Sequence, residues 1–336
     1  MTAVHPILLA KRYGPGILVA GAVALAGWLI AHYTGWPGIV IALVIGMALN
    51  PVAARPQLQP GYVLAVKKVL RIAIALLGVR IALGDVAALG LPTAALVIST
   101  MALTLLTGVL VARLLGASAA FGALAGGATA VCGASAALAI STVLPQDSRR
   151  DTDAAFVVLA VNALSTIAMI VYPLIGHALG YPDHVNGVML GATIHDVAQV
   201  VGAGYGVSPE AGDTATIVKL FRVFLLLPVV LVIGLAFASA GGDAARAKAP
   251  VPVFAIMFVV FATVNSLGLI PDVLRTVLLG LSQAGLFLAI AALGLQTSLL
   301  AMLRLGWRPM AIVLASTLVL LGAVIIGLQV IGMTTI

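Results

Sequence analysis

The sequence predicts an all-α polytopic membrane protein with about eleven transmembrane helices. Of its 336 residues, 62% are hydrophobic and only 8% are charged, and the mean hydropathy is +1.23. A soluble domain carries about 25% charged residues, because its surface must face water. Ten acidic and 17 basic residues are too few to cover a soluble globule of this size. We therefore expect lipid around most of the chain, in a multi-pass protein of the bacterial inner membrane.

The net charge of +7 does not indicate a nucleic-acid partner. The basic residues are scattered at the ends of apolar runs, where loop charges set membrane orientation. The single cysteine, Cys132, excludes an intrachain disulfide framework and a Cys-x-x-Cys metal site. No metal or cofactor is expected, and the expected partners are the lipid bilayer, a small anionic substrate and a second copy of the chain in a homodimer.

A spanning helix needs about 20 mostly apolar residues, and the connections between the apolar runs are too short for a soluble domain. Residues 1–336 are therefore interpreted as a single membrane unit. The predicted spans are 16–34, 37–50, 62–82, 91–113, 119–144, 153–177, 186–206, 214–238, 251–268, 273–297 and 308–332.

Internal similarity predicts inverted repeats, at about 16–177 and 186–332. Residues 75–94 align with 291–310, in the third and tenth spans. An odd separation makes the two copies antiparallel, as in many secondary transporters. The alternative is chance similarity between Ala/Leu/Gly-rich segments. A second similarity pairs GGAT at 126–129 with LGAT at 190–193. An even number of predicted spans separates these two copies, which would make them parallel unless 119–144 re-enters the membrane.

The segment 120–145 is unlike a lipid-facing helix, because it is rich in glycine and small polar residues. Gly126, Gly127 and Gly133 permit either tight helix packing or a break in the helix. A break at membrane depth offers free N–H groups and a positive dipole end to an anion. The spacing of its polar residues suggests a shared helical face. Candidate substrate-binding residues here are Thr129, Cys132, Gly133 and Ser135.

The segment 187–206 is the second candidate for a broken or re-entrant helix, and it holds the adjacent pair His195 and Asp196. Ionisable residues inside a membrane helix usually mark a substrate path or a proton relay, and histidine titrates near neutral pH. The pair is therefore a candidate proton-coupling site, unless it lies in an interfacial turn. Gln199, four residues after His195, is expected on the same helical face and is a candidate substrate-binding residue.

Lys219 and Arg222 lie three residues apart and therefore share one face of a helix. Both could extend to the membrane interface at the start of their span. Alternatively, they neutralise Asp196 or bind an anionic substrate, for which the planar guanidinium fork is suited. Both residues are candidate substrate-binding residues.

Enzymatic signatures are absent from the sequence. It contains no HExxH, GxSxG, Walker A or dinucleotide-binding motif. ATP hydrolysis by the usual P-loop route is therefore excluded, and we expect transport driven by a gradient or by a partner.

Five ordered motifs resemble the YeiH-type sulfate exporter family, over about residues 15–330. They are GGATAVCGASAALA, GATIHDVAQVVGAG, TIVKLFRVFLLLPVVLV, VNSLGLIP and ALGLQTSL. This resemblance, and a more distant one to sodium–proton antiporters and bile-acid symporters, implies two inverted repeats with broken helices that cross near the membrane midplane. The positions that match these motifs are Cys132, Gly133, Ser135, His195, Asp196, Gln199, Lys219 and Arg222.

The function expected from these observations is secondary active export of a small anion such as sulfate or sulfite, with proton coupling as an option. A cation–proton antiporter of the same fold, with Asp196 as the ion site, is the alternative. From another class, the chain could be a membrane scaffold, or an enzyme that uses Cys132 and His195.

Overall fold

The computed structural model describes residues 6–53, 55–145, 150–238, 252–297 and 306–333, and these residues are helical with short connections and no strand. The helices form two compact units that alternate along the chain. The first comprises residues 1–87 and 253–299, and the second comprises residues 88–252 and 300–336.

The helices of the first unit have these bounds: α1 Pro6–Thr34, α2 Gly38–Ala53, α3 Gln59–Leu64, α4 Leu70–Leu77, α5 Leu83–Ala88, α14 Val253–Ser266 and α15 Asp272–Gln296. Those of the second unit are α6 Gly90–Leu114, α7 Ala119–Ala130, α8 Ala134–Ser141, α9 Arg150–Ala178, α10 Asp183–Thr193, α11 Val197–Val207, α12 Pro209–Phe224, α13 Leu226–Phe237 and α16 Trp307–Val330. A π-helical turn, Ala65–Val69, joins α3 to α4, and α5 ends at the boundary between the units.

Six spans of the described chain are long and apolar enough to cross a membrane: Lys11–Thr34, Gly90–Leu114, Arg150–Ala178, Pro209–Ala236, Asp272–Gln296 and Trp307–Val330. Shorter apolar helices such as α2, α7, α11 and α14 accompany them. Large apolar side chains in mid-helix face outward, for example Leu106 of α6, which is 65% exposed. An apolar outer surface is what a lipid solvent requires. The all-helical membrane architecture is confirmed, whereas the count of eleven spans and the inverted repeats stay predictions; residues 298–305 of the second repeat copy lie outside the described residues.

In the first unit, α2 crosses α15 at a pair of glycines. A Cβ on Gly46 would lie 2.8 Å from the carbonyl oxygen of Ala291, and one on Gly294 would lie 2.4 Å from that of Leu43. Next to this crossing, the Asn50 side-chain amide donates to the carbonyl of Leu295 at 2.7 Å. The sequence placed the end of α2 at Asn50, but the helix continues to Ala53 with Pro51 inside it.

In the second unit, small residues bring backbones together at two places. Gly108 of α6 meets Gly126 of α7, where an added Cβ would lie 2.6 Å from the Gly126 Cα atom. On α10, a Cβ added to Gly187 would lie 2.7 Å from the Ala211 carbonyl oxygen of α12, and one added to Gly191 would lie 2.5 Å from that of Ala215. Small residues four apart permit this close packing in membranes. It holds α12, which carries Lys219 and Arg222, directly against α10.

Candidate functional site

The first break in a helix lies at residues 131–133, between α7 and α8. Gly133 has φ +65° and ψ −120°, a conformation that only glycine adopts without strain. It precedes α8 without supplying a side-chain cap. Gly126 and Gly127, which the sequence offered as further break points, lie inside α7, where they serve close packing.

Gly133→Ala is therefore expected to destabilise the protein, because a Cβ strains the backbone of the break by about 1–3 kcal/mol. Detergent-purified protein should melt several degrees lower. Gly322→Ala on α16 is the matched control, since Gly322 has ordinary helical dihedrals and no atom within 4 Å of an added Cβ. Equal melting temperatures for the two variants would contradict this role for Gly133.

The second break lies at residues 194–196, between α10 and α11. Asp196 caps α11, with its carboxylate accepting from the backbone N–H of Ala198 at 2.8 Å. The backbone N–H of Asp196 donates to the Ser165 hydroxyl on α9 at 3.0 Å, which ties the break to α9. The two similar stretches GGAT and LGAT each end the first half of a broken helix.

Lys219 and Arg222 reach both breaks from α12, and both are fully buried. The Lys219 ammonium donates to the carbonyls of Val131 at 2.7 Å and Ile194 at 2.9 Å. Arg222 donates through Nε to Ala130, through Nη1 to Gly191 and Ile194, and through Nη2 to Thr129 and Ala130, at 2.8–3.1 Å.

These hydrogen bonds give the cations a clear electrostatic task. The last carbonyls of a helix have no partner within it and carry the negative end of the helix dipole. Lys219 and Arg222 neutralise those ends in α7 and α10 together. All five guanidinium N–H groups of Arg222 are occupied in this way, so Arg222 has no donor left for direct contact with an anion. Lys219 keeps one N–H of its three. Neither side chain extends to the membrane interface, which was the alternative left open by the sequence.

His195 and Gln199 do not share a helical face, since His195 lies in the break and Gln199 lies in α11. Thr317 donates its hydroxyl to Val313 and therefore accepts from His195 Nε2 at 3.0 Å. Thr166 likewise donates to Asn162 and accepts from the Gln199 amide at 2.8 Å. This leaves His195 Nδ1 and Gln199 Oε1 buried without a partner.

Thr166 and Thr317 were missed by the sequence reasoning. Each is the second residue of a Ser-Thr pair inside an apolar helix, at 165–166 on α9 and 316–317 on α16. That pair is a weak signal, because Ser99 and Thr100 of α6 form another one, whose hydroxyls donate to carbonyls of α6 itself.

Thr129, Cys132 and Ser135 also do not share a face, because the break interrupts the helix between them. Thr129 and Cys132 are buried, and Ser135 is exposed in the first turn of α8. The hydroxyl of Thr129 is a third buried polar group without a partner. Within the described residues, Cys132 forms no hydrogen bond with His195, and no cluster of three His, Cys, Asp or Glu residues could hold a metal ion.

The profile of one protein family, described as Conserved hypothetical protein 698, matches residues 15–313. The chain belongs to this family. Its members include the UPF0324 membrane protein TauZ of Paracoccus denitrificans, which is 45% identical over 95% of both chains. The UPF0324 membrane protein CT0845 of Chlorobaculum tepidum is 42% identical over 94% of this chain and 89% of its own length.

A third relative, the UPF0324 membrane protein RB0971 of Rhizobium meliloti, is 43% identical over 96% of this chain and 94% of its own. All three relatives are named as membrane proteins and come from bacteria, and none of them has the name of an enzyme. The family membership inferred from the five motifs and the multi-pass bacterial membrane location are therefore confirmed.

Proposed function

We propose that this protein is a secondary active transporter that exports a small oxyanion such as sulfate or sulfite, coupled to protons. The observation that carries the proposal is the meeting of two broken helices around buried Lys219 and Arg222. Broken helices at membrane depth usually line a substrate site in secondary transporters.

The charges at this meeting point favour an anion. Two buried cations stand against one carboxylate, that of Asp196, so one positive charge is left over. Asp196 already occupies the positive end of α11, whereas α8 begins without a side-chain cap. An anion at the start of α8 would receive its free N–H groups and the exposed Ser135 hydroxyl. Buried Lys219 and Arg222 would attract it through space rather than by the direct contacts suggested from sequence.

His195 links this anion position to proton binding. An added Cβ on Gly133, immediately before α8, would lie 3.6 Å from the Cβ of His195, and the Nδ1 atom of His195 has no partner. A proton on Nδ1 would turn this acceptor into a charged donor beside the anion. Each ligand would then strengthen the binding of the other, because coupling between binding sites is reciprocal. The anion and the proton would therefore leave together, and the outward anion gradient would drive export.

Flux in proteoliposomes tests the proposal. Proteoliposomes that contain the purified protein and are loaded with labelled sulfate or sulfite should release the label faster than protein-free vesicles. An imposed pH gradient should change this rate several-fold. Folded Lys219→Ala protein should release it more slowly than wild type. If neither anion moves and Lys219→Ala makes no difference, anion export is wrong.

The same assay separates the alternatives. Flux of labelled sodium against protons would favour a cation–proton antiporter with Asp196 as the ion site. The carbonyls that could coordinate a cation at both breaks are already held by Lys219 and Arg222, which counts against that alternative. An enzyme built on Cys132 and His195 has no support in the hydrogen bonding, because the Nε2 atom of His195 contacts Thr317 instead.

A further inference from the structure

Five backbone carbonyl oxygens converge on α12 from the two broken helices. Thr129, Ala130 and Val131 supply three of them at the end of α7. Gly191 and Ile194 supply the other two at the end of α10. Carbonyl oxygens at unwound helix ends are the groups that coordinate Na⁺ in transporters that use this ion. The backbone here is therefore arranged as a cage for cations.

Two side chains occupy this cage completely. Seven hydrogen bonds of 2.7–3.1 Å join Lys219 and Arg222 to the five oxygens. Both side chains have no solvent exposure, so a free ion could enter only if a covalently attached cation moved out. Every oxygen already accepts from at least one side-chain donor, so a metal ion could bind only by sharing carbonyls that face the fixed charges of Lys219 and Arg222.

We propose that Lys219 and Arg222 are resident cations that take the place of a coupling Na⁺, so that the protein neither binds nor needs an alkali cation at this crossing. The two charges are fixed to α12, so they stay with the protein through a transport cycle. The consequence for transport rests on the proposed function: sodium is excluded as the coupling ion, and protons are left.

Thermal melting of the full-length protein in detergent tests the resident-cation role without any transport assay. Wild-type protein is measured in NaCl, LiCl, KCl and choline chloride at equal ionic strength, and its midpoint should differ by less than about 1 °C between salts. Lys219→Ala removes one cation, which leaves the Val131 carbonyl without a side-chain donor and the Ile194 carbonyl with Arg222 alone. Its midpoint should be lower in choline chloride and should recover by roughly 5 °C when Na⁺, Li⁺ or methylammonium saturates the vacated place.

Thr216→Ala is the matched control, because Thr216 is buried on the same helix and donates only to the Gly212 carbonyl of that helix. It should melt equally in all four salts. Lys219→Ser, which also vacates the place of the ammonium, serves as a second variant if Lys219→Ala does not fold. A wild-type midpoint that rises specifically with Na⁺ overturns the proposal, and so does a folded Lys219 variant that no small cation stabilises.

Flux measured in sodium-free buffer completes the experiment. Wild-type flux should be unchanged when choline replaces Na⁺, and a tenfold loss would overturn the proposal. If the melting results are as expected but no anion is transported, the resident cations stand and the proposed function fails. The two failures are therefore distinguishable.

Discussion

Arg222→Ala is expected to prevent accumulation of folded protein, or to lower its thermal midpoint by more than any other single substitution considered for this chain. The side chain satisfies the carbonyls of Thr129, Ala130 and Gly191, to which no other lysine or arginine side chain of the described chain donates. A buried polar group left without a partner costs about 1–3 kcal/mol. Three such groups together approach the total stability of roughly 5–15 kcal/mol typical of a protein.

The measurement is the yield of monodisperse protein from solubilised membranes, followed by its melting curve. Arg113→Ala is the control, because Arg113 is exposed in the last turn of α6 and its loss should change stability by no more than about 0.5 kcal/mol. Arg222→Lys should be intermediate, since an ammonium keeps the charge but offers three donors instead of five. Arg222→Ala protein as stable as Arg113→Ala would show that the carbonyls find other partners.

His195→Gln is expected to reduce the change in anion flux that a pH gradient causes by at least tenfold, while the protein stays folded. A glutamine amide can still donate to Thr317, as Nε2 of His195 does at 3.0 Å, but it cannot take up a proton. The proton-loaded donor beside α8 is then lost. The measurement is labelled-anion flux in proteoliposomes with and without the gradient, at matched protein content.

The control for this variant is His184→Gln. His184 also lies close to a threonine hydroxyl, with Nδ1 3.3 Å from Thr214 Oγ1, but it is on the first turn of α10, away from the break. Its replacement should leave the gradient response intact. Asp196→Asn separates the two predicted proton carriers, because asparagine preserves the cap of α11 and removes the charge. Loss of the response only in Asp196→Asn would assign coupling to Asp196 instead.

Composition was sufficient to predict the membrane architecture, and it marked both segments in which a helix breaks, with tight packing left open for the first and an interfacial turn for the second. Small polar residues with glycine marked 120–145, and an ionisable pair inside an apolar run marked 187–206. The positions of the breaks were harder to predict. Gly126, Gly127 and Gly133 look alike in sequence. Tertiary packing distinguishes them, because Gly126 lies against Gly108 and Gly127 lies against Ile140 and Ile233.

Helical periodicity failed where the helix itself was interrupted. Spacings of three and four residues place side chains on one face only in a continuous helix, so Thr129 with Ser135 and His195 with Gln199 separated at the breaks. The same rule succeeded for Lys219 and Arg222, which lie in the uninterrupted α12. Their chemical partners could not be predicted, because backbone carbonyls have no sequence signature.

The position of Cys132 provides a natural reporter of motion in this protein. It is the one cysteine of the sequence, and it lies buried in the break between α7 and α8. A thiol-directed reagent can therefore modify the unaltered protein at a single atom, and only when the break becomes accessible to water. The rate of alkylation would report how often the crossing opens, and how substrate or pH changes that frequency, without any engineered label.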